Sequence, residues 1–191
     1  MSAVDFLFLP GIQKVLGQAY SHLDQQFTLN ELLANAPGGR GTNQRHIEHL
    51  IKAGVLTEGP RRARQRSITA NTNYFLFEEL RSIALKTFAL KEPLLAALQP
   101  FQDQIQQAFV FGSIAKRTDT ARSDVDLIVV GDAPFLEITD VISKAEQTLK
   151  RPINMTLYAP DEWANLKAND PVVAQIANGP KISILPNDIA C

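Results

Sequence analysis

The feature of this chain that most constrains its fold is a pair of apolar runs separated by a short polar segment. The first run ends at Gly112 and Ser113, and the second opens with Asp124 and Asp126, which are spaced two residues apart. An apolar run that stops at glycine and serine is typical of a strand that turns into a helix. The stretch from 109 to 130 therefore predicts a strand, a tight turn into a helix, a loop and a second strand.

The two aspartates predict a magnesium site. Side chains two residues apart on a strand point to the same face, so Asp124 and Asp126 lie together, and like charges this close repel unless a cation separates them. Mg²⁺ prefers oxygen ligands and keeps positions open for phosphate oxygens. Simple turn chemistry at Ser123 and Asp124 is the alternative. Turn chemistry does not explain why Asp126, at the start of an apolar core strand, is a charged residue.

The glycine–serine pair suits an approaching phosphate. Gly112 has no Cβ, so the backbone can come close to a phosphate, and Ser113 adds a hydroxyl where the N–H groups of the next helix point outward. The order of Gly112, Ser113, a short helix and then Asp124 and Asp126 on the next strand resembles the nucleotidyltransferases of the DNA polymerase beta superfamily.

That resemblance implies an α+β fold with a small mixed-sheet nucleotidyltransferase domain in residues 108–191. It also implies Mg²⁺ and a nucleoside triphosphate, with ATP as the expected nucleotide. Asp124 and Asp126 are then the catalytic and metal-binding residues, an acceptor hydroxyl attacks the α-phosphorus, and pyrophosphate leaves. The residues implied for nucleotide binding are Gly112, Ser113, Lys116, Arg122 and Ser123.

Two positions depart from the superfamily pattern. A third carboxylate usually stands on a later strand beside the pair, and the matching strand here, residues 153–158, offers Asn154. Asparagine cannot act as a base and binds a cation more weakly than an anionic side chain does. Lys116 and Arg117 stand where the superfamily tends to have arginine and glycine, so Arg117 is expected to crowd the turn. The sequence therefore supports nucleotide binding more strongly than enzymatic turnover.

The N-terminal part of the chain has a different pattern. Helical spacing predicts helices at 11–22 and 42–53, and between them Thr28 and Glu31 form the capping signature of a short helix. A glycine-rich turn at 36–41 precedes the third helix, and two short β segments follow it. Three helices followed by a β-hairpin resemble the winged helix-turn-helix modules of the ArsR and MarR kind.

This second resemblance implies that residues 1–75 bind double-stranded DNA, with the third helix in the major groove and the hairpin along the phosphates. The alternative is an arginine-rich loop that only keeps the surface soluble. His46 and His49 have a spacing that could hold a metal, but no cysteine lies near them and we assign no zinc. The predicted DNA contacts are Thr42, Asn43, Gln44, Arg45, His46 and His49 on the helix, and Arg61, Arg62, Arg64 and Arg66 on the hairpin tip.

Charge is distributed unevenly along the chain. Residues 1–75 hold eight Lys and Arg against five Asp and Glu, whereas residues 76–191 hold eleven against fifteen. A basic first part suits a polyanion such as DNA. The single cysteine, Cys191, excludes an intrachain disulfide and a cysteine metal site, and no run of about 18 apolar residues suggests a membrane span. We expect a cytoplasmic protein without a signal peptide or membrane anchor.

Residues 76–107 are predicted to form a helical connector, interrupted at Pro93 and Pro100. The connector is too apolar for a free linker, so we expect it to pack the two domains together or two copies of the chain against each other. Because winged-helix proteins commonly bind paired half-sites, a homodimer is expected. The whole arrangement resembles a family of prokaryotic proteins that fuse an ArsR-like winged helix to a nucleotidyltransferase domain.

Three functional hypotheses follow from the sequence. The first is a DNA-binding transcriptional regulator whose second domain binds a Mg²⁺-nucleotide and can transfer a nucleotidyl group to an unknown acceptor. The second is an active nucleotidyltransferase of the antitoxin type that modifies a partner protein encoded nearby. The third is a regulator whose transferase domain is catalytically inert. Asn154 favours the first and third hypotheses, and the intact pair of Asp124 and Asp126 favours the first two.

Overall fold

The computed structural model describes residues 2–62, 65–120 and 123–186. Its contacts divide the chain into two compact units, Met1–Leu90 and Lys91–Cys191. The segment predicted as a separate connector is therefore divided between the two units. The reason is physical: its apolar residues are buried within the core of one unit or the other, as Leu85 is in the first and Leu94 is in the second.

The first unit builds helices around a small antiparallel sheet of strand order β1-β3-β2. The predicted order of three helices and a hairpin is present, and β1 is an addition that the sequence did not predict. This strand has only two residues and is defined by its pairing with β3 rather than by any pattern of its own. The elements among the described residues are α1 (Pro10–Ser21), β1 (Phe27–Thr28), α2 (Leu29–Leu33), α3 (Arg40–Lys52), β2 (Leu56–Arg62), β3 (Gln65–Ala70) and α4 (Phe77–Lys86).

The predicted capping box at the start of α2 is confirmed. The Thr28 hydroxyl accepts the backbone N–H of Glu31 at 3.2 Å, and the Glu31 carboxylate accepts the backbone N–H of Thr28 at 2.6 Å. Two N–H groups at the helix start, which have no partner inside the helix, are satisfied in this way. The capping box fixes where α2 begins and hence how far it lies from α3.

The buried stripe of α3 contains a polar residue. Ile47 and Leu50 are buried as predicted, and Asn43 joins them with only 3% of its surface exposed. The Asn43 amide nitrogen donates to the carbonyl of Pro37 at 3.0 Å, and a Cβ added to Gly11 would overlap the Asn43 amide oxygen. Asn43 was predicted to contact DNA, but its side chain is buried in this structure, where it holds the turn before α3 against α1.

The second unit is built on a mixed sheet of strand order β6-β5-β4-β7, in which β5 and β6 are parallel and the other pairs are antiparallel. No helix among residues 2–62, 65–120 and 123–186 is long and apolar enough to cross a bilayer. The elements are α5 (Lys91–Leu98), a 3-10 helix (Gln99–Gln104), β4 (Ile105–Phe111), α6 (Gly112–Lys116), β5 (Val125–Gly131), α7 (Phe135–Leu149), β6 (Ile153–Tyr158), α8 (Pro160–Asn169), α9 (Pro171–Asn178) and β7 (Ile182–Leu185).

The start of β4 differs from the prediction. The sequence predicted helical structure up to residue 107, whereas the strand already begins at Ile105. Glutamines at 106 and 107 favour a helix locally, but Ile105 pairs with Gly131 at the end of β5. Pairing with a buried neighbouring strand overrides this local preference for helix, so residues 105–107 form the start of β4.

The buried amide of Asn43 leads to a stability prediction. We expect Asn43→Ala to lower the free energy of unfolding by about 1 kcal/mol, because the hydrogen bond from the buried Asn43 amide to the Pro37 carbonyl is lost. Urea denaturation followed by circular dichroism measures this change. Gln44→Ala is the matched control, since Gln44 is exposed on the same helix and should change stability by less than about 0.5 kcal/mol. Equal effects of the two substitutions would contradict the role of Asn43.

Candidate active site

The fold brings the glycine–serine turn against the second aspartate. Phe111, the last residue of β4, pairs with Asp126 on β5, and α6 starts immediately afterwards at Gly112. Gly112 has a φ of +72°, a backbone conformation that favours glycine. A Cβ added to Gly112 would overlap Oδ2 of Asp126 and lie 3.2 Å from its Cγ. The turn therefore lies so close to the Asp126 carboxylate that only a residue without a Cβ fits at position 112.

The two aspartates and Asn154 lie at the same edge of the sheet. Asp124 precedes β5, Asp126 is its second residue, and Val125 between them is fully buried, so both carboxylates are on the side away from Val125. In the parallel register of β5 and β6, Asp126 pairs with Asn154. The Asn154 amide nitrogen donates to Oδ2 of Asp124 at 3.1 Å. Two carboxylates and an amide thus converge at one place.

This group of three side chains has the chemistry of a hard-cation site. Carboxylate and amide oxygens are the ligands that Mg²⁺ takes in proteins. Among the described residues, no group of three His, Cys, Asp or Glu side chains is arranged to hold a metal, so the third member beside the two acids is the amide of Asn154. An amide does not accept a proton at neutral pH, and the position next to the pair therefore provides no general base.

The other residues predicted to bind the nucleotide have different surroundings. Ser113 is half-buried at the start of α6, and Lys116 is exposed in its last turn. The Ser123 hydroxyl accepts the backbone N–H of Thr120 at 2.9 Å and so closes the turn just before Asp124. Arg122 lies outside the described residues.

The backbone conformation at Arg117 gives a reason why the superfamily tends to have glycine at this position. Arg117 ends α6 with φ 59° and ψ 29°, a left-handed conformation. Helices commonly end with a residue in this conformation, and glycine adopts it at the lowest cost because it has no Cβ. Arg117 therefore departs from the superfamily pattern in the backbone conformation that it must adopt at the end of α6. The sequence had instead suggested that its side chain would crowd the turn.

One buried ion pair near the site was not predicted. Arg151 donates through Nη1 to Oδ2 of Asp119 at 3.0 Å, and the two side chains are 5% and 1% exposed. Arg151 also donates through Nη2 to the backbone carbonyl of Thr120 at 2.9 Å. The partners are about thirty residues apart in sequence and follow no periodicity, so no sequence signal identifies the pair.

In the first unit, the predicted DNA contacts on α3 are not all alike. Thr42, Gln44, Arg45 and His49 are exposed, whereas Asn43 is buried as described above. His46 is half-buried, and its Nδ1 atom is buried without a hydrogen-bond partner among the described residues. The exposed face of α3 is therefore narrower than the sequence predicted.

Arg66, which the sequence predicts to contact DNA phosphates from the hairpin tip, is ion-paired within the first unit. Its guanidinium forms ion pairs with Glu48 on α3 and with Glu58 on β2, the latter at 2.5 Å. The hydrogen bond that Arg66 donates to Glu48 raises the pKa of Arg66, with a further contribution from the bond to Glu58. The charge of Arg66 is thus balanced within the fold. The side chains of Arg61 and Arg62, and the whole of Arg64, lie outside the described residues.

Comparisons with known proteins find similarities in the second unit. Residues 95–174 match the family model described as "Polymerase beta, Nucleotidyltransferase", which confirms the predicted nucleotidyltransferase domain. The chain is also 34% identical over 56 residues to the "Putative protein adenylyltransferase" of Methanocaldococcus jannaschii. That match covers 29% of this chain and 56% of the relative, so the chain spans little more than half the length of this curated relative.

Two solved structures are similar at a low level. A structure titled "Crystal structure of the toxin-antitoxin with AMP-PNP" is 15% identical, with a TM-score of 0.38 over 50% of this chain and 72% of that chain. The archaeal chromatin protein TrmBL2 is also 15% identical, with a TM-score of 0.25 over 84% of this chain and 70% of that chain. At these scores, neither structure establishes the fold.

The close approach at Gly112 predicts a strong effect of a single methyl group. We expect Gly112→Ala to lower the free energy of unfolding of the second unit by more than about 1 kcal/mol, because alanine is strained at positive φ and its Cβ displaces Asp126. The fluorescence of Trp163, the only tryptophan, reports this transition during urea denaturation.

Gly41→Ala is the matched control for this substitution. A Cβ at Gly41 meets nothing within 4 Å, and Gly41 lies in α3 of the first unit. The Trp163 transition should therefore be unchanged in this variant. A Gly112→Ala protein as stable as the wild type would show that Gly112 and Asp126 are not in the contact described here.

Proposed function

We propose that the second unit transfers a nucleotidyl group from a nucleoside triphosphate, with ATP as the expected donor, to a hydroxyl group of a partner protein. The observation that carries this proposal is the contact between the Gly112 turn and Asp126, with Asp124 and Asn154 at the same sheet edge. The family match supports the reaction class. The name of the Methanocaldococcus jannaschii relative, a protein adenylyltransferase, supports ATP as donor and a protein as acceptor.

The residues at this edge fit Mg²⁺. Two carboxylates on one side of a strand, beside a turn that a Cβ would fill, provide oxygen ligands next to a space for phosphate. Asp124 and Asp126 would hold the ion, and Asn154 could add its amide oxygen. A bound Mg²⁺ would supply positive charge to the phosphate oxygens, which favours both the attacking and the leaving oxygen of the transfer.

The proposed reaction is a single displacement at the α-phosphorus. The acceptor oxygen forms a bond to phosphorus, the bond from phosphorus to the bridging oxygen breaks, and pyrophosphate leaves with the electron pair. The hydroxyl proton passes to water, because the position beside the acidic pair is occupied by Asn154 rather than by a carboxylate. Gly112 and Ser113 contribute by holding the β- and γ-phosphates, since catalysis in such transfers depends mainly on positioning and charge.

The acidic pair is tested by removing its charge. We expect Asp124→Asn together with Asp126→Asn to abolish Mg²⁺-dependent ATP binding and to reduce label transfer from ATP by at least about 100-fold. Calorimetry measures binding without an acceptor, and labelled ATP incubated with the product of the neighbouring gene measures transfer. Asp132→Asn is the matched control, since Asp132 is an exposed carboxylate just beyond the other end of β5. Unchanged ATP binding in the double variant would refute the site.

A second function is favoured by the first unit. We propose that it is a winged helix-turn-helix module that binds double-stranded DNA and acts in transcriptional regulation. Four of the predicted DNA contacts on α3 are exposed, while Ile47 and Leu50 on its other side are buried. The hairpin of β2 and β3, which would contact phosphates, follows α3. A homodimer would present two copies of α3 to paired half-sites.

The ion pairs of Arg66 provide a test of the predicted arginine contacts on the hairpin. We expect substitution of Arg61, Arg62 and Arg64 by alanine to reduce the salt dependence of DNA binding by up to about one unit of slope per lost phosphate contact. Arg66→Ala is the matched control and should leave the slope nearly unchanged, because Glu48 and Glu58 already balance its charge. Fluorescence anisotropy with a random-sequence duplex at several salt concentrations measures the slope. A larger loss of slope in Arg66→Ala would reverse this assignment.

A further inference from the structure

The turn between α7 and β6 holds the chain on both sides of Asp124. On one side, Arg151 donates to the side chain of Asp119 at 3.0 Å and to the carbonyl of Thr120 at 2.9 Å. On the other side, the carbonyl of Pro152 accepts the backbone N–H of Val125 at 2.8 Å. Two adjacent residues of one turn thus anchor the segments that precede and follow the first aspartate.

The connection from Arg151 to Asp124 is short and continuous. The Thr120 carbonyl that Arg151 holds also accepts the backbone N–H of Ser123 at 3.1 Å, and the Thr120 N–H donates to the Ser123 hydroxyl at 2.9 Å. Ser123 is bonded directly to Asp124 along the chain. Since Val125 is fully buried, the backbone of Asp124 lies between two fixed neighbours.

The turn that carries Arg151 is itself fixed to α7. The carboxylate of Glu146 on α7 accepts the backbone N–H of Ile153 at 2.7 Å. The backbone beside Arg151 is therefore held in place, so the Arg151 side chain can act as a fixed anchor for the loop. Its planar guanidinium reaches a carboxylate and a carbonyl at the same time, which the single ammonium of lysine would do less well.

Stability alone is a weak reason for this ion pair. Removing two charges from water costs about as much as their attraction returns, and apolar residues of similar size are often equally stable or better. Arg151 Nε is buried without a partner among the described residues, which adds to the cost. The two hydrogen bonds that Arg151 makes with described residues are both directed at the segment leading to the acidic pair.

We propose that Arg151, through Asp119 and Thr120, is a positioning residue that sets the distance between Asp124 and Asp126. Two carboxylates share a cation only within a narrow range of separations, and Asp126 is already fixed by the pairing of β5 with β4 and β6. Asp124 precedes the strand and needs a separate anchor. Arg151 supplies it without touching the nucleotide or the metal. This inference rests on the proposed function of the same site.

The test replaces the ion pair by apolar residues in the full chain. Arg151→Met with Asp119→Leu should fold, with a melting temperature within about 4 °C of the wild type, because the buried volume is kept. Its affinity for ATP with Mg²⁺, measured by calorimetry, should fall by about 10- to 100-fold, as is typical when a residue that orients metal ligands is lost. Arg151→Lys alone should lose less ATP affinity than the double variant, because it keeps a positive charge opposite Asp119.

A second measurement is independent of ATP. The Val125 amide, which donates to Pro152, should exchange its hydrogen faster in the double variant, as followed by NMR. If the double variant does not fold, Arg151→Lys takes its place. Lysine keeps the charge but cannot reach the Asp119 carboxylate and the Thr120 carbonyl together, so ATP affinity should fall and exchange of the Val125 amide should rise in the same directions.

The outcomes separate this inference from the proposed function. If the wild type does not bind ATP with Mg²⁺, the proposed function fails, and the exchange of the Val125 amide still decides whether Arg151 anchors the segment. If the wild type binds ATP and a folded double variant binds it equally well, the pair is only structural and the inference about Arg151 is overturned. Unchanged exchange of the Val125 amide in the double variant overturns it as well.

Discussion

The pairing of β5 with its two neighbours is the constraint on which the candidate site depends. Asp126 is aligned with Phe111 on one side and with Asn154 on the other, and Gly112 follows Phe111 directly. Val125, Leu127 and Val129 on the opposite face are fully buried. A slip of one residue would turn Asp126 to the face that these apolar side chains fill and would bury its carboxylate, at a cost of several kcal/mol. The apolar residues of β5 therefore determine its register, and the register determines the position of the two aspartates.

Local patterns allowed much of this arrangement to be predicted. The capping box at Thr28, the strand of residues 153–158 and the pairing of a Gly-Ser turn with two aspartates all depend on residues close in sequence. The contacts that were not predicted join distant segments. Asp119 and Arg151 meet only because the sheet places the loop after α6 beside the turn after α7. The two-residue β1 has no pattern of its own and exists through its partner.

The first unit shows how an internal role can resemble a recognition role in sequence. Asn43 and Arg66 are residue types that contact bases and phosphates, and both lie where a winged module would use them. In the fold, Asn43 closes the turn before α3, and Arg66 ties α3 and β2 to β3 through two carboxylates. These contacts fix the orientation of α3. Of the predicted DNA contacts on α3, those that remain exposed are Thr42, Gln44, Arg45 and His49.

The amide of Asn154 changes the electrostatics of the edge as well as its acid–base chemistry. A third carboxylate would place three negative charges beside one another, whereas Asn154 leaves two and donates a hydrogen bond to Asp124. In the proposed Mg²⁺ site, the ion would then have less repulsion to offset and would be held by fewer charges. Oxygens of the triphosphate would have to complete its ligands. Precise placement of the two remaining carboxylates matters more in such a site, because no third anion compensates for an error in their separation.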